Sequence, residues 1–177
     1  MFEIKTQRLA LRDILREDQG ELHRLRSDPE VIRYMEYLRS DAAAETWAWI
    51  QETIVQNSLK PRRSYNLVIK RRSDNQILGW IGIGQVTGEP AGVLDFGYAL
   101  LPEFWGHGYA TEALSAVLKI GFERLSADLI FGECDPKNPA SGRVMEKAGL
   151  RMAQQREGGN QKDLRFAINR ETWLSMR

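Results

Sequence analysis

The sequence predicts an α+β fold, with one domain over residues 1–177 and helices on both faces of a mixed, mostly antiparallel sheet. Three β-rich runs follow one another in the middle of the chain, which is typical of an antiparallel meander. A strand, a strongly periodic helix and another strand overlap the end of this region, and that order predicts a parallel β-α-β unit. Helical segments precede the meander, and a hairpin pattern ends the chain.

The first third of the chain predicts one strand followed by helices. Segment Arg8–Ile14 alternates leucines with charged residues, the two-residue period of a half-buried strand. The apolar spacing over 17–35 is helical, and Asp28-Pro29 predicts a break into two short helices. A further helix is expected to begin at Ser40 or Asp41, because either side chain can cap its first turn.

The middle of the chain supplies the meander and the β-α-β unit. Apolar residues recur at helical spacing from Ala110 to Leu125, and Leu129–Cys134 is the strand predicted after that helix. The three β-rich runs before it are Tyr65–Lys70, Ile77–Val86 and Val93–Leu101.

The last third predicts a helix and a hairpin. Asn138-Pro139 combines an N-cap residue with proline at the first helical position, and Gly149 is the expected helix stop. Two short runs follow, Arg151–Glu157 and Lys162–Ile168. The turn Gly158-Gly159-Asn160 between them predicts a closing hairpin.

Charge balance and cysteine count exclude several functional classes. Lys+Arg of 25 and Asp+Glu of 24 leave a net charge of +1, so no overall field would hold a nucleic acid or an anionic membrane. The single Cys134 and two histidines cannot form an intramolecular disulfide or a Cys/His zinc site, so we expect no metal. Since neither a secretory signal nor a membrane-spanning run is found, we expect a cytoplasmic protein.

The first candidate site is the turn that precedes the long helix. Gly106 and Gly108 are one residue apart at the helix start, where backbone N–H groups and the positive end of the helix dipole can hold a phosphate. No Gly-Lys-Ser/Thr follows, and Thr111 stands where a dinucleotide fingerprint has its third glycine. The alternative is an ordinary turn that needs glycine for positive φ.

The second candidate site is the segment from Glu133 to Ser141. Asn138 can serve there as a simple N-cap, in which case Ser141 faces solvent. Both candidate segments, however, follow strands that are adjacent in the predicted β-α-β unit. Their loops should therefore emerge at the same edge of the sheet, where ligands bind, and form one cleft.

Three runs of the sequence carry a family resemblance: Thr6–Arg12, Phe96–Ala113 and Asn138–Leu150. Together they resemble the GNAT superfamily of acyl-CoA N-acyltransferases, and more narrowly its ribosomal-protein N-terminal acetyltransferase (RimJ/RimL-like) branch. The similarity extends from about Thr6 to the C-terminus. It implies a GNAT-like domain with a splayed central strand pair, which transfers acetyl from acetyl-CoA to a primary amine by direct attack in a ternary complex.

The resemblance also implies how acetyl-CoA binds. The backbone of Tyr98, Ala99 and Leu100 would pair with the pantetheine arm as an added strand does. Asn138 would reach the pantetheine, and the N–H groups from Gly106 onward would hold the pyrophosphate. The indole of Trp105 is expected to pack, and His107 is not expected to be a base. The cradle consists of Trp105, Gly106, His107, Gly108, Tyr109 and Ala110.

The general acid departs from the family pattern. Many relatives carry a tyrosine seven residues after the asparagine, which protonates the leaving thiolate; this position is Met145 here, and methionine has no proton to donate. Ser141, one turn into the helix, is the available hydroxyl. We therefore predict that Ser141 is the general acid and also contacts the cofactor.

The general base is predicted at Glu133, which matches a base glutamate of related N-terminal acetyltransferases and would act directly or through water. The alternative is a strand residue that faces solvent. Asp95 and Glu103 are weaker candidates. Cys134 is expected to be a small buried residue rather than a nucleophile.

The acceptor stays open between two classes. The branch resemblance suggests a protein N-terminus, and the other class is a small amine such as a polyamine, an amino acid or an aminoglycoside. Its binding walls are expected from the first two helices and the last hairpin. A non-catalytic acyl-CoA-binding regulator and a nucleotide-binding interaction module are the rival functions. The oligomeric state stays open, with a homodimer as one alternative.

Overall fold

The computed structural model describes residues 1–155 and 163–176. These residues form eight strands and six α-helices around one hydrophobic core. The strands are β1 (Glu3–Lys5), β2 (Leu9–Asp13), β3 (Ser64–Arg71), β4 (Ile77–Gln85), β5 (Val93–Leu100), β6 (Leu129–Cys134), β7 (Arg151–Gln155) and β8 (Leu164–Asn169). The helices are α1 (Gln19–Ser27), α2 (Pro29–Ile32), α3 (Ala43–Ser58), α4 (Tyr109–Arg124), α5 (Pro139–Lys147) and α6 (Arg170–Ser175).

All the strands belong to one mixed sheet in the order β1-β2-β3-β4-β5-β6-β8-β7. The predicted antiparallel meander β3-β4-β5 is confirmed, and so is the parallel pairing of β5 with β6 across α4. Strands β7 and β8 pair as the arms of the predicted hairpin. The turn predicted at Gly158-Gly159-Asn160 lies outside the described residues. Strand β1 and helix α6 are elements that the sequence did not predict.

The helix ends agree with the predicted signals at two places. The Asp28 carboxylate accepts hydrogen bonds from the N–H groups of Glu30 and Val31, so it caps α2 at the predicted break. Gly149 follows α5 at φ +99°. The N–H of the next residue, Leu150, donates to the carbonyl of Met145 in α5, as expected at a glycine helix stop.

The start of α3 differs from the prediction. The helix begins at Ala43, and neither Ser40 nor Asp41 caps it. The Ser40 hydroxyl is buried and accepts a hydrogen bond from Thr46. The Glu45 carboxylate instead reaches back to the N–H of Asp41 at 2.8 Å. The expected cap was wrong because burial engages the Ser40 side chain elsewhere.

The strand register sorts side chains onto two faces of the sheet. Ile81 of β4 and Tyr98 of β5 are cross-strand neighbours, so their side chains point to the same side of the sheet. Helix α4 packs against this side, which we call the α4 face. Helix α5 packs on the same side as α4. Trp80 points to the opposite side, where it meets Trp49 of α3 edge to face, and we call this side the α3 face. Helices therefore cover both faces, as predicted.

The centre of the sheet is splayed. Pairing of β5 with β6 ends at Asp95 and Phe131, although β5 continues along β4 and β6 continues along β8. The next residue of β5, Phe96, places its ring over Gly132, where a Cβ atom would overlap the ring. This wedge keeps the strands apart, and the splayed strand pair is confirmed.

Among the residues that the structure describes, no helix is long and apolar enough to cross a membrane.

Candidate active site

The gap between β5 and β6 opens into a cleft of about 390 Å³. Its walls are β5, the end of β6, and the segments before α4, before α5 and after α2. Gly106 and Gly108 from the first candidate segment line it together with Glu133, Asn138 and Ser141 from the second. The single cleft predicted from the two adjacent strands is therefore confirmed.

The turn before α4 has the backbone geometry of an anion cradle. Gly106 and Gly108 have φ of +77° and +78°, a region where other residues are strained. The first backbone bond of the helix runs from the N–H of Glu112 to the carbonyl of Gly108, so the preceding N–H groups have no acceptor inside the helix. They lie at the positive end of the dipole of a 16-residue helix.

An arginine from the turn between β1 and β2 braces this cradle, a contact that the sequence analysis missed. The Arg8 guanidinium donates to the His107 carbonyl at 2.9 Å and to the Glu112 carboxylate at 2.7 Å. It also lies 4.7 Å from the ring centre of Tyr109. Burial opposes ionisation of Glu112, but hydrogen bonds from Thr6 and Arg8 outweigh it and lower the pKa of Glu112.

The two side chains inside the cradle turn make local contacts. The Trp105 indole N–H donates to the carbonyl of Leu100 at 2.7 Å, so this side chain fixes the end of β5, although it is 46% exposed. Nδ1 of His107 lies 2.7 Å from the carbonyl oxygen of Trp105, and its ring stacks on Tyr109. Both side chains are therefore engaged by the protein itself.

The residues predicted to pair with the pantetheine arm lie at the end of β5, on the edge that faces β6. Tyr98, Ala99 and Leu100 all line the cleft and pair with β4 on their other edge. In the described part of the chain, no strand pairs with them on the side of β6. This edge is open for strand-like pairing, although the Leu100 carbonyl already accepts the Trp105 indole.

Two hydroxyl groups meet on the α4 face of the cleft. Asn138 caps α5 by accepting from the Ser141 N–H at 3.2 Å, and the Ser141 hydroxyl lies 2.9 Å from the hydroxyl of Tyr98. Burial raises the pKa of Tyr98 to about 12, although the bond to Ser141 acts in the opposite direction. Met145, one turn further along α5, is 1% exposed and lines the same wall.

A carboxylate held by an arginine lies on the α3 face of the cleft. Glu133 accepts a hydrogen bond from Arg165 of β8 at 2.9 Å, and its side chain is 30% exposed. The same guanidinium donates to Glu89 at 3.1 Å and lies 3.8 Å from the ring centre of Phe131. Glu133 is therefore a positioned carboxylate at the mouth of the gap.

The remaining candidate groups differ in place and charge. Asp95 sits where β5 and β6 part, and burial together with the charge of Glu133 raises its pKa. Glu103 forms an ion pair with Arg24 and is not among the residues that line the cleft. Burial raises the pKa of the Cys134 thiol to about 11, so it is protonated at neutral pH and a poor nucleophile.

The family of the chain follows from a match to a family model. The model described as "Acetyltransferase (GNAT) domain" matches residues 8–151, which is most of the chain. This chain belongs to the GNAT acetyltransferase family. It is an acetyl-CoA-dependent N-acetyltransferase, in agreement with the resemblance carried by the three sequence runs.

Individual relatives are similar to this chain over most of its length. YoaA from Bacillus subtilis (strain 168), an uncharacterized N-acetyltransferase, is 30% identical over 89% of this chain and 86% of its own. A GNAT family acetyltransferase from Bacillus anthracis has a TM-score of 0.80 and 26% identity, covering 96% of this chain and 99% of that one. Mycobacterium smegmatis RimJ, solved with CoA-disulfide, has a TM-score of 0.76 and 23% identity, covering 92% and 82%. Proteins with this GNAT fold therefore include one solved with CoA-disulfide bound.

The GNAT cleft also has a wall from the segment after α2. Tyr34 donates to the carbonyl of Lys137 at 3.2 Å, which ties this segment to the loop before α5. Tyr37 lies over β5, since a Cβ atom on Gly97 would be 3.0 Å from its hydroxyl. Of the walls expected from the first two helices and the last hairpin, α2 and the segment after it line the cleft, whereas no described residue of β7 or β8 does. The turn of the hairpin lies outside the described residues.

Proposed function

We propose that this GNAT enzyme transfers acetyl from acetyl-CoA to a primary amine in the gap between β5 and β6. The observation that carries the proposal is the arrangement across that gap. The Ser141 hydroxyl lies on the α4 face and the Glu133 carboxylate on the α3 face, so a thioester in the gap would have a proton donor on one side and a proton acceptor on the other.

The cofactor fits the residues around the gap. The N–H groups of Gly106 to Ala110 would hold the pyrophosphate, since they lie at the start of α4. The pantetheine arm would pair with the open edge at Tyr98 and Ala99. Because the Asn138 oxygen already accepts the Ser141 N–H, its amide NH₂ is the group left to donate to a pantetheine carbonyl.

The chemistry begins with a proton on the acceptor. A primary amine arrives largely as an ammonium, which has no lone pair, and Glu133 would take its proton directly or through water. The neutral nitrogen then attacks the thioester carbon, the C–S bond breaks, and Ser141 donates to the leaving sulfur. No acyl-enzyme is needed for this direct attack. The neighbouring Cys134 thiol is a poor nucleophile, because burial raises its pKa to about 11.

For the acceptor, we propose first a protein N-terminus, including that of a ribosomal protein, on the basis of the RimJ/RimL-like runs in the sequence. A small cationic amine, such as a polyamine or an aminoglycoside, is the second candidate. It is favoured by the carboxylates of Asp95, Glu133 and Asp135 near the α3 face, which would attract a multiply charged amine.

The test is a CoA-release assay with acetyl-CoA and two panels, N-terminal peptides on one side and small amines on the other. Turnover with either panel supports the proposal and selects the acceptor class. Tight acetyl-CoA binding without turnover on any amine would instead indicate a non-catalytic acyl-CoA-binding regulator. A thermal shift with ATP but not with acetyl-CoA or CoA would indicate a nucleotide-binding module.

A further inference from the structure

The Tyr98 hydroxyl lies in the cleft beside the proposed general acid, yet the mechanism above uses only the Tyr98 backbone. Its ring stacks on Phe96, and its hydroxyl lies 2.9 Å from the hydroxyl of Ser141 and 3.4 Å from the Ser141 carbonyl oxygen. Among residues 1–155 and 163–176, the hydrogen-bond partners found for this hydroxyl are these two atoms of Ser141.

The direction of this bond matters because a serine hydroxyl has one proton. If Ser141 donated to Tyr98, that proton would not be available to the sulfur. The phenol needs an acceptor, and the Ser141 hydroxyl oxygen is the nearer of its two. Ser141 also differs from Ser27 and Ser115, whose hydroxyls donate to the carbonyl four residues earlier in their own helices. With Tyr98 as the donor, the Ser141 proton is free to point into the cleft.

We propose that Tyr98 is a positioning residue for acetyl transfer: its O–H donates to the Ser141 oxygen, so that the Ser141 O–H points at the CoA sulfur. The inference rests on the proposed function. Met145, which lines the same wall, cannot take this part because a thioether carries no proton.

The step balances as follows. The amine nitrogen forms a bond to the acetyl carbon, the C–S bond breaks, and its electron pair stays on sulfur. The nitrogen loses two protons: one passes through Glu133 to solvent before the attack, and the second follows the same route after the attack. Sulfur takes the Ser141 proton, Ser141 takes the Tyr98 proton, and Tyr98 regains one from water, which the second nitrogen proton balances. The net release is one proton. The products are the acetylated amine and the CoA thiol.

The test is a double-mutant cycle on Tyr98→Phe and Ser141→Ala, read as the single-turnover rate constant of acetyl transfer, so that slow product release cannot hide the chemical step. Ser141→Ala should lower the rate about tenfold, the size of one hydrogen bond. Tyr98→Phe should lower it about threefold to tenfold, with acetyl-CoA affinity unchanged. The double variant should be no slower than Ser141→Ala alone, because the two groups act as a unit.

The control is Tyr65→Phe, which removes a phenol from the buried face of β3, outside the cleft, and should leave the rate unchanged. If the wild-type protein acetylates no amine, the proposed function itself is wrong. An active wild type with full rate in Tyr98→Phe would overturn this inference alone. Losses that multiply in the double variant would also overturn it, since independent effects multiply.

Discussion

The two faces of the gap between β5 and β6 carry opposite chemistry. On the α4 face, Tyr98 and Cys134 are neutral groups, and burial raises the pKa of both. On the α3 face, Asp95 and Glu133 are carboxylates, and Arg165 lies between Glu133 and the loop before β5. The α4 face therefore carries hydroxyl and thiol groups, and the α3 face carries carboxyl groups.

The difference follows from the alternation of side chains along a strand. Consecutive residues point to opposite faces, so the neighbours Glu133 and Cys134 of β6 serve different sides of the same gap. Tyr98 and Asp95, three residues apart on β5, are separated in the same way. Hydroxyl and carboxyl groups thus approach the same gap from opposite faces of the sheet.

The largest expected effect is on cofactor binding. Gly108→Val should abolish acetyl-CoA binding while leaving the fold largely intact, because a β-branched residue at φ +78° is strained and would shift the N–H groups that meet the pyrophosphate. Calorimetry with acetyl-CoA measures this. Gly88→Val is the matched control, because Gly88 has φ +90° and open space around it but does not line the cleft. Unchanged acetyl-CoA affinity in folded Gly108→Val would exclude pyrophosphate binding by the turn before α4.

Asn138→Ala should have a smaller effect on the α4 face. It should cost about 1 kcal/mol of folding free energy through the lost cap of α5, and it should also weaken acetyl-CoA binding. Asn169→Ala is the control, because Asn169 caps α6 in the same way at 2.8 Å but lies outside the cleft. Equal stability losses with equal, undiminished affinities would leave Asn138 as a cap alone.

The smallest expected effect is on the α3 face, from Asp95→Asn. Burial and the charge of Glu133 raise the pKa of Asp95, so the folded state holds this proton more tightly than the unfolded state does. Wild-type stability is therefore reduced as pH rises through that pKa, and the asparagine removes this reduction. The variant should be more stable than wild type at neutral pH and no more stable at acidic pH. Urea unfolding across pH measures this, and a pH-independent difference would contradict it.

Most of the fold could be predicted from the sequence because its longer elements carry strong local signals. The meander, the α4 periodicity and the Asn138-Pro139 helix start are patterns within short windows. Strand β1 and helix α6, with three and six residues, are too short for a period to be read. The cap of α3 was wrong because tertiary burial, which no local pattern contains, decides what Ser40 bonds to.

The candidate site divides in the same way. Gly106, Gly108 and Asn138 could be found because their roles are in the backbone, as positive φ and as a cap. The contacts between Tyr98 and Ser141 and between Arg165 and Glu133 join residues that are 43 and 32 positions apart in the sequence. No local pattern predicts such side-chain pairs. Period-two alternation could have placed Tyr98 on the α4 face, but the distance to Ser141 depends on how α5 docks.

The proposed role of Glu133, acceptance of the amine proton on the α3 face, is tested by the pH dependence of turnover in Glu133→Gln. The glutamine keeps an oxygen for Arg165. Acetyl-CoA affinity should be unchanged, and turnover near neutral pH should fall about 10²–10⁴-fold. The deficit should shrink as pH rises, because more of the acceptor amine is then already neutral. Wild-type turnover, or a deficit that stays constant with pH, would exclude Glu133 as the base and move that role to Asp95 or to bulk water.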